Sequence, residues 1–344
     1  MTIKRKLTEL SKLGEFRLIE HLTRNFELRN KSSYKGIGDD AAVIRHDKNM
    51  LILTTDMLVE GIHFNLVYTP LKHLGYKTVV AGISDIYAMN ARPEQIIISI
   101  AVSNKISVES LEEFYTGIKL ACERYQVDLV GGDTSSSMTG MMITITVLGI
   151  AKPEELVYRS GACINDLICV SGNLGAAYAG LQVLERERRI FQSDQMIQPD
   201  LTGYDYVLER QLKPEAKKDI IDMLKGKEII PTSMIDISDG LTSDLFHICK
   251  QSKVGCRIYM EKIPVDEETA KTARELNVEP VVCALNGGED YELLFTVPLN
   301  KSEIINSMAG ISVIGHITGA DWGKKMVTRD GGEVVLKAQG WNEG

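Results

Sequence analysis

Apolar residues recur along this chain with two periods, and the period switches many times. From Gly14 onward, Phe16, Ile19, Leu22 and Phe26 follow helical spacing. A glycine-punctuated acidic stretch covers residues 36–40. Segments 41–44 and 50–54 then read as strands around the turn-forming His46-Asp47-Lys48-Asn49. Residues 74–91 read as a helix that ends ahead of Pro93. Segment 96–102 reads as a strand and 108–125 as a helix, with Leu111, Phe114, Ile118 and Ala121 on one face. Leu129-Val130 is a short strand opening into Gly131-Gly132-Asp133, and 141–150 alternates as a longer one.

A second series begins near Lys152-Pro153. Strands are predicted over 167–170, 234–237, 255–263, 291–297 and 311–317, and helices over 176–187 and 241–250. The polar segment 191–213 carries no period that assigns it. No repeat of fixed length is present. The pattern predicts α/β and α+β architecture in two domains: 14–151 with a mixed sheet and helices, and 152–344 as an α+β unit. A length of 344 residues fits two domains.

Composition removes several function classes. The 39 Lys+Arg against 47 Asp+Glu give a net charge of −8, which argues against a nucleic-acid-binding face. No apolar run approaches a membrane span, and no apolar signal region follows the basic start at Met1 to Lys6. The six cysteines form no C-x-x-C pair, so neither a zinc knuckle nor a thioredoxin-like motif is read. A reducing cytoplasm is the expected compartment. Neither a GxxxxGK[ST] sequence nor a helix-opening G-x-G-x-x-G occurs, so any use of ATP proceeds without those loops.

The acids then change the picture. Asp39, Asp40, Asp56, Asp85, Asp133, Asp236 and Asp239 fall beside glycines, serines and threonines, where strands are expected to end. Each alone is also an ordinary turn residue or helix N-cap. Asp85 is harder to read that way, because it interrupts the apolar run Val79-Val80-Ala81-Gly82-Ile83. A buried charge there is costly unless paired or metal-bound. Adjacent Asp39 and Asp40 repel by roughly 4 kcal/mol at about 4 Å and an effective dielectric near 20. A hard cation with oxygen ligands removes that penalty, and carboxylates with hydroxyls favour magnesium over zinc. Asp236, Ser238 and Asp239 can gather at a helix N-terminus, which also suits phosphate.

Six segments, taken in order, resemble the bacterial thiamine-monophosphate kinases. They are Gly36-Ile37-Gly38-Asp39-Asp40-Ala41-Ala42, the run from Thr54-Thr55-Asp56 to Gly61-Ile62-His63-Phe64, Gly131-Gly132-Asp133-Thr134, Arg159-Ser160-Gly161-Ala162, Asp236-Ile237-Ser238-Asp239-Gly240-Leu241 and Gly287-Gly288-Glu289-Asp290-Tyr291-Glu292-Leu293. The resemblance implies a homodimer paired through its N-terminal sheets, with ATP and several Mg²⁺ in a cleft between domains. It implies magnesium at Asp40, Thr54, Thr55, Asp56, Asp85, Asp133, Asp236 and Asp239. It implies ATP contacts at Tyr115, Gly132, Arg159 and Ser238, and thiamine monophosphate contacts at His63, Glu289 and Trp341. Two departures stand out: Gly82 where the family commonly has Asn, and Thr134-Ser135 where it often has Thr-Thr.

The reaction so implied is phosphorylation of thiamine monophosphate to the diphosphate by direct in-line transfer, with no side chain acting as general base. Two other readings remain at this point. One is another ATP-dependent synthetase of the same superfamily, which also holds aminoimidazole ribonucleotide synthetase. The other is a Mg-nucleotide-binding protein without turnover.

Overall fold

The computed structural model describes residues 14–25, 28–193 and 198–338. The N-terminal half holds strands β1 (Ser33–Lys35), β2 (Ala42–His46), β3 (Asn49–Val59), β4 (Arg92–Val102), β5 (Asp128–Ser136) and β6 (Met142–Ala151), with helices α1 (Gly14–Thr23), α2 (Leu71–Ala88) and α3 (Val108–Tyr125). Its sheet runs β1-β2-β3-β6-β4-β5. All neighbours pair antiparallel except β4 with β5, which are parallel.

The C-terminal half holds β7 (Leu167–Ser171), β8 (Ser233–Ile237), β9 (Gly255–Tyr259), β10 (Glu292–Val297), β11 (Ile311–Thr318), β12 (Lys324–Val327) and β13 (Glu333–Val335). Its helices are α4 (Ala176–Ser193), α5 (Asp205–Leu212), α6 (Lys218–Gly226), α7 (Leu241–Ser252), α8 (Glu267–Glu275), α9 (Pro280–Asn286) and α10 (Ser302–Asn306). The second sheet runs β13-β12-β9-β11-β7-β10-β8. The mixed architecture of two sheets with helices is the predicted one.

The sequence pattern set several boundaries wrongly. Strand β3 continues to Val59, because β6 pairs with it from Met50 to Val59, so Asp56 lies inside a strand. Strand β5 runs straight through Gly131-Gly132-Asp133, which the pattern assigns to a loop. The glycines there answer a close approach of backbones: a Cβ on Gly132 would lie 2.0 Å from the Ile98 carbonyl oxygen. Pro93 falls within β4, where the register is irregular, and the preceding helix already ends at Ala88. The unassigned segment 191–213 contains the end of α4 and all of α5. Phe26, grouped with the first helix, lies outside the described residues.

Helix α2 is the hinge of the architecture. It is buried along most of its length and packs on β3, β4 and β6 of one sheet and on β8 of the other. One apolar core accordingly includes Val79, Ile83 and Ile145 from the first half with Met234, Leu293 and Phe295 from the second. Gly82 is part of this fit, since a Cβ there would come within 2.7 Å of a Val147 methyl. Among the described residues nothing covers the opposite face of the first sheet, where Leu53, Met57, Ile97 and Met142 are exposed. Among the described residues no helix is long and apolar enough to cross a membrane.

Helices α2 and α3 cross on glycines: a Cβ on Gly75 would meet the Phe114 carbonyl oxygen at 1.9 Å, and one on Gly117 the Lys72 carbonyl oxygen at 1.8 Å. Alanine in a helix gains about 1 kcal/mol over glycine, but here the backbones must part. Gly117→Ala is expected to destabilise by about 1–3 kcal/mol, read as a lower urea midpoint at unchanged slope. Gly226→Ala, with nothing among the described residues within 4 Å of its would-be Cβ, is the control and is expected to be neutral or slightly stabilising.

Candidate active site

Strand β2 pairs only with residues 49–53 of β3, so Thr54 to Val59 run on beyond it with one edge open. A cleft of about 1320 Å³ occupies this gap. Its lining brings together Asp39, Asp40, Thr54, Thr55, Asp56, His63, Asp85, Arg159, Asp236, Ser238, Asp239 and Glu289 from both halves of the chain.

At its floor, carboxylate oxygens of Asp40, Asp85 and Asp236 lie within 4.8 Å of one another. Three different elements deliver them: the loop before β2, the body of α2, and β8 one residue before its end. Each is held from its own side. The Thr54 hydroxyl donates to Asp85 at 2.5 Å, and the Ser84 hydroxyl donates to Asp236 at 2.7 Å. Arg159 donates a guanidinium N–H to Asp40 at 2.8 Å and its backbone N–H to Asp39 at 3.2 Å. Lys35 pairs with Asp39.

Burial pushes every member of the cluster upward. Asp40 is raised by burial, against the pull of Arg159. Asp85 stands well above the carboxylate range through burial and then the charges of Asp56, Asp236 and Asp40. Burial together with Asp40 lifts Asp236 to about 7, and burial lifts Asp56 to about 6. Arg159 is driven further up: burial works against its charge, but Asp40 and Asp39 overcome that. One oxygen of Asp40, Oδ2, is buried and has no hydrogen-bond partner among the described residues. An orphaned, buried carboxylate oxygen beside two further carboxylates fits an all-oxygen site for a hard divalent cation. Asp40, Asp85 and Asp236 are the residues that could hold it, with Asp56, Thr54 and Thr55 alongside.

Two loops close the other wall. Gly288 packs against the Ser238 carbonyl, and the backbone N–H groups of Glu289 and Tyr291 donate to the carbonyls of Ser238 and Ile237 at 2.8 and 2.9 Å. Helix α7 starts just beyond, at Leu241. Its entry is not an open anion site, because the buried Asp244 carboxylate accepts the N–H groups of Asp239 and Gly240 at 3.3 and 3.1 Å. Sequence reasoning passed over Asp244. Its signal was available: an acid among Leu241, Leu245 and Ile248 on a helical face. His247, also on the cleft wall, is lowered to about 3 by burial and then Arg159, and is neutral.

His63 is at the cleft mouth, its Nδ1 accepting the Val59 N–H at 3.0 Å, which leaves the proton on Nε2. Tyr115, Gly132 and Asp133 stand elsewhere, along the β5 edge. Tyr115 and Leu129 line a separate groove there. Asp133 is in register with Ser99, Thr144 and Met57, on the uncovered sheet face. Three strand spacings put it about 14 Å from β3. Trp341 lies outside the described residues.

The fold and the acidic cleft define a class. Residues 38–151 match the family described as "AIR synthase related protein, N-terminal domain". Over nearly the whole chain the likeness is more specific. A thiamine-monophosphate kinase of Aquifex aeolicus is 35% identical over 308 residues, 90% of this chain and 92% of the relative. One from Buchnera aphidicola subsp. Schizaphis graminum is 35% identical over 338 residues, 96% and 98% of the two chains. A solved structure described as "AaThiL complexed with AMPPCP and TMP" superposes with a TM-score of 0.81 at 32% identity, covering 97% of this chain and 98% of its own. The chain belongs to the thiamine-monophosphate kinase family.

The raised carboxyls set a pH dependence for the metal-free protein. A native pKa above the unfolded value means the native state binds the extra protons. That stability is present below about pH 4 and is lost as pH rises through about 6 and 7, the values of Asp56 and Asp236. Thermal melts in a chelator are expected to show this contribution falling from pH 5 to pH 8. Added Mg²⁺ is expected to raise the melting temperature more at pH 8 than at pH 5, by on the order of 5 °C. Equal shifts at both pH values would contradict the assignment.

Proposed function

We propose that this chain transfers the terminal phosphoryl group of ATP to thiamine monophosphate, with the reaction running in the Asp40–Asp85–Asp236 cleft. The observation that carries this reading is the acid triad with its orphaned, buried Asp40 oxygen, in a chain matched along its length by thiamine-monophosphate kinases. The solved relative described as binding AMPPCP and TMP supports the same pair of ligands.

An oxygen of the acceptor phosphate attacks the γ-phosphorus, and the bond to the oxygen bridging to the β-phosphorus breaks, releasing ADP. The second pKa of a phosphate monoester is near 6, so the acceptor is largely dianionic at pH 7 and needs no base. Transfer of this kind depends on alignment and charge neutralisation. Magnesium held by Asp40, Asp56, Asp85, Asp236 and Asp239, with the Thr54 and Thr55 hydroxyls, would supply that neutralisation. Arg159, fixed against Asp40 and Asp39, presents a permanent positive charge to phosphate oxygens. Ser238 lines the same wall. His63 offers its Nε2 proton, and Glu289 offers a negative charge to the thiazolium, with Trp341 assigned to the same substrate by resemblance.

Gly132 and Asp133 on β5, with Tyr115 beside them on α3, stand too far across the sheet to share the metal with their own triad. They reach nucleotide only from a second copy, which would also cover the exposed Leu53, Met57, Ile97 and Met142. We therefore read the working form as a cytoplasmic homodimer paired through these sheet faces, with 14–151 and 152–344 as its domains.

Incubation with Mg-ATP and thiamine monophosphate is expected to yield thiamine diphosphate by chromatography, and ATP consumption without that product would overturn the reading. Asp85→Asn is expected to cut kcat by about 10³ or more. The same variant removes a buried like charge, so its metal-free melting temperature at pH 8 is expected to rise. Loss of activity with a lowered melting temperature would assign Asp85 to the fold instead.

A further inference from the structure

Glu289 meets the cleft with one carboxylate oxygen already engaged. Its Oε2 pairs with the Lys77 ammonium at 3.0 Å and accepts the Gln211 side-chain amide at 2.9 Å. Lys77 also donates to the Gln211 backbone carbonyl at 3.0 Å, closing a three-residue ring. Among the described residues Oε1 has no hydrogen-bond partner, and Glu289 keeps a side-chain exposure of 24% on the cleft side.

Three features make this arrangement more than packing. Lys77 is 2% exposed in the middle of an apolar helix. Replacing a buried ion pair with apolar groups is commonly neutral or favourable for stability, so stability alone does not call for a lysine there. Glu289 and Tyr291 both hold the left-handed backbone conformation, with φ of 64° and 50°. Two such non-glycine residues on one short loop at the cleft fit the clustering of strained backbone at ligand sites. Finally, Lys77, Ala81, Ser84 and Asp85 share one face of α2 at i, i+4, i+7 and i+8. Eight residues of helix separate Lys77 from Asp85 by about 12 Å. One rigid helix thus fixes the acid cluster at one end of the cleft and, through Lys77, fixes Glu289 at the other.

We propose that Lys77, with Gln211, is a positioning residue for substrate specificity: it locks Glu289 so that the free Oε1 faces the organic, cationic end of the phosphate acceptor. The proposal rests on the kinase reading above. Lys77 does not line the cleft, so its whole effect passes through Glu289.

Steady-state kinetics on Lys77→Met, Glu289→Gln and the double variant test this. Lys77→Met is expected to raise KM for thiamine monophosphate about tenfold, with kcat and KM for ATP unchanged. In the Glu289→Gln background the same change is expected to do nothing further. Multiplying effects, or equal damage to KM for ATP, would overturn the proposal. Lys77→Arg is expected to recover part of the loss. If Lys77→Met does not fold, Gln211→Met removes the second contact to Oε2 while leaving the backbone carbonyl for Lys77. It is expected to raise the same KM, and to be silent beside Glu289→Gln. A native enzyme that makes no thiamine diphosphate would sink the kinase reading itself, whereas an active enzyme with an additive cycle sinks only the role of Lys77.

Discussion

The structure turns on three carboxylates that repel one another. Asp40, Asp85 and Asp236 converge within 4.8 Å at the base of the cleft. Bringing like charges together out of water is unfavourable, and their raised pKa values register that cost. No local feature of the chain gathers them. Each is carried by an element whose position is decided elsewhere: Asp85 by a helix wedged between two sheets, Asp236 by an edge strand, Asp40 by a loop tied to Arg159. The repulsion is tolerated because many apolar contacts oppose it. It also defines what the cleft accepts, since only cations, or protons at lower pH, relieve it.

This dependence explains the shared core. Two sheets that merely touched across a hydrated seam could slide, and a cation site assembled across them would lose its geometry. Instead α2 buries side chains against both sheets, and the core is continuous from Val79 to Phe295. The glycines that admit α3 and β6 close to α2 belong to the same requirement. Space denied to a methyl group at Gly75, Gly82 and Gly117 is what allows one helix to register three layers.

Much of the site was legible in the sequence, for a definite reason. Asp85 stands out because an acid inside an apolar helical run contradicts its surroundings. The paired loops at Asp236–Gly240 and Gly287–Tyr291 stand out because glycines and acids cluster at the ends of apolar strands, after β8 and ahead of β10. What stayed hidden was long-range register. Nothing near Asp56 announces that β6 carries its strand onward to Val59, and nothing near Gly131-Gly132 separates a turn from a tight parallel pairing. The row that sets Asp133 opposite Met57, away from its own triad, exists only once four strands are aligned. Lys77 gave the same signal as Asp85, a charge within the buried apolar stretch of the same helix, but its partner lies 212 positions further along the chain, in a loop read only for its acids.

The two ends of the cleft are organised in opposite senses. At the acid end the protein's own groups are frustrated: an oxygen of Asp40 is orphaned and the carboxyls resist ionisation together. At the Glu289 end the groups satisfy one another, with Lys77, Gln211 and the carboxylate closing a ring before any substrate arrives. A site whose polar groups are already fixed loses little freedom on binding and can discriminate by shape and charge. A site whose groups repel discriminates only by charge, and it gains its order from what enters. On the proposed assignment the division would match the chemistry, because phosphates and their cations are common to many reactions, whereas the organic end of the acceptor sets one substrate apart from another.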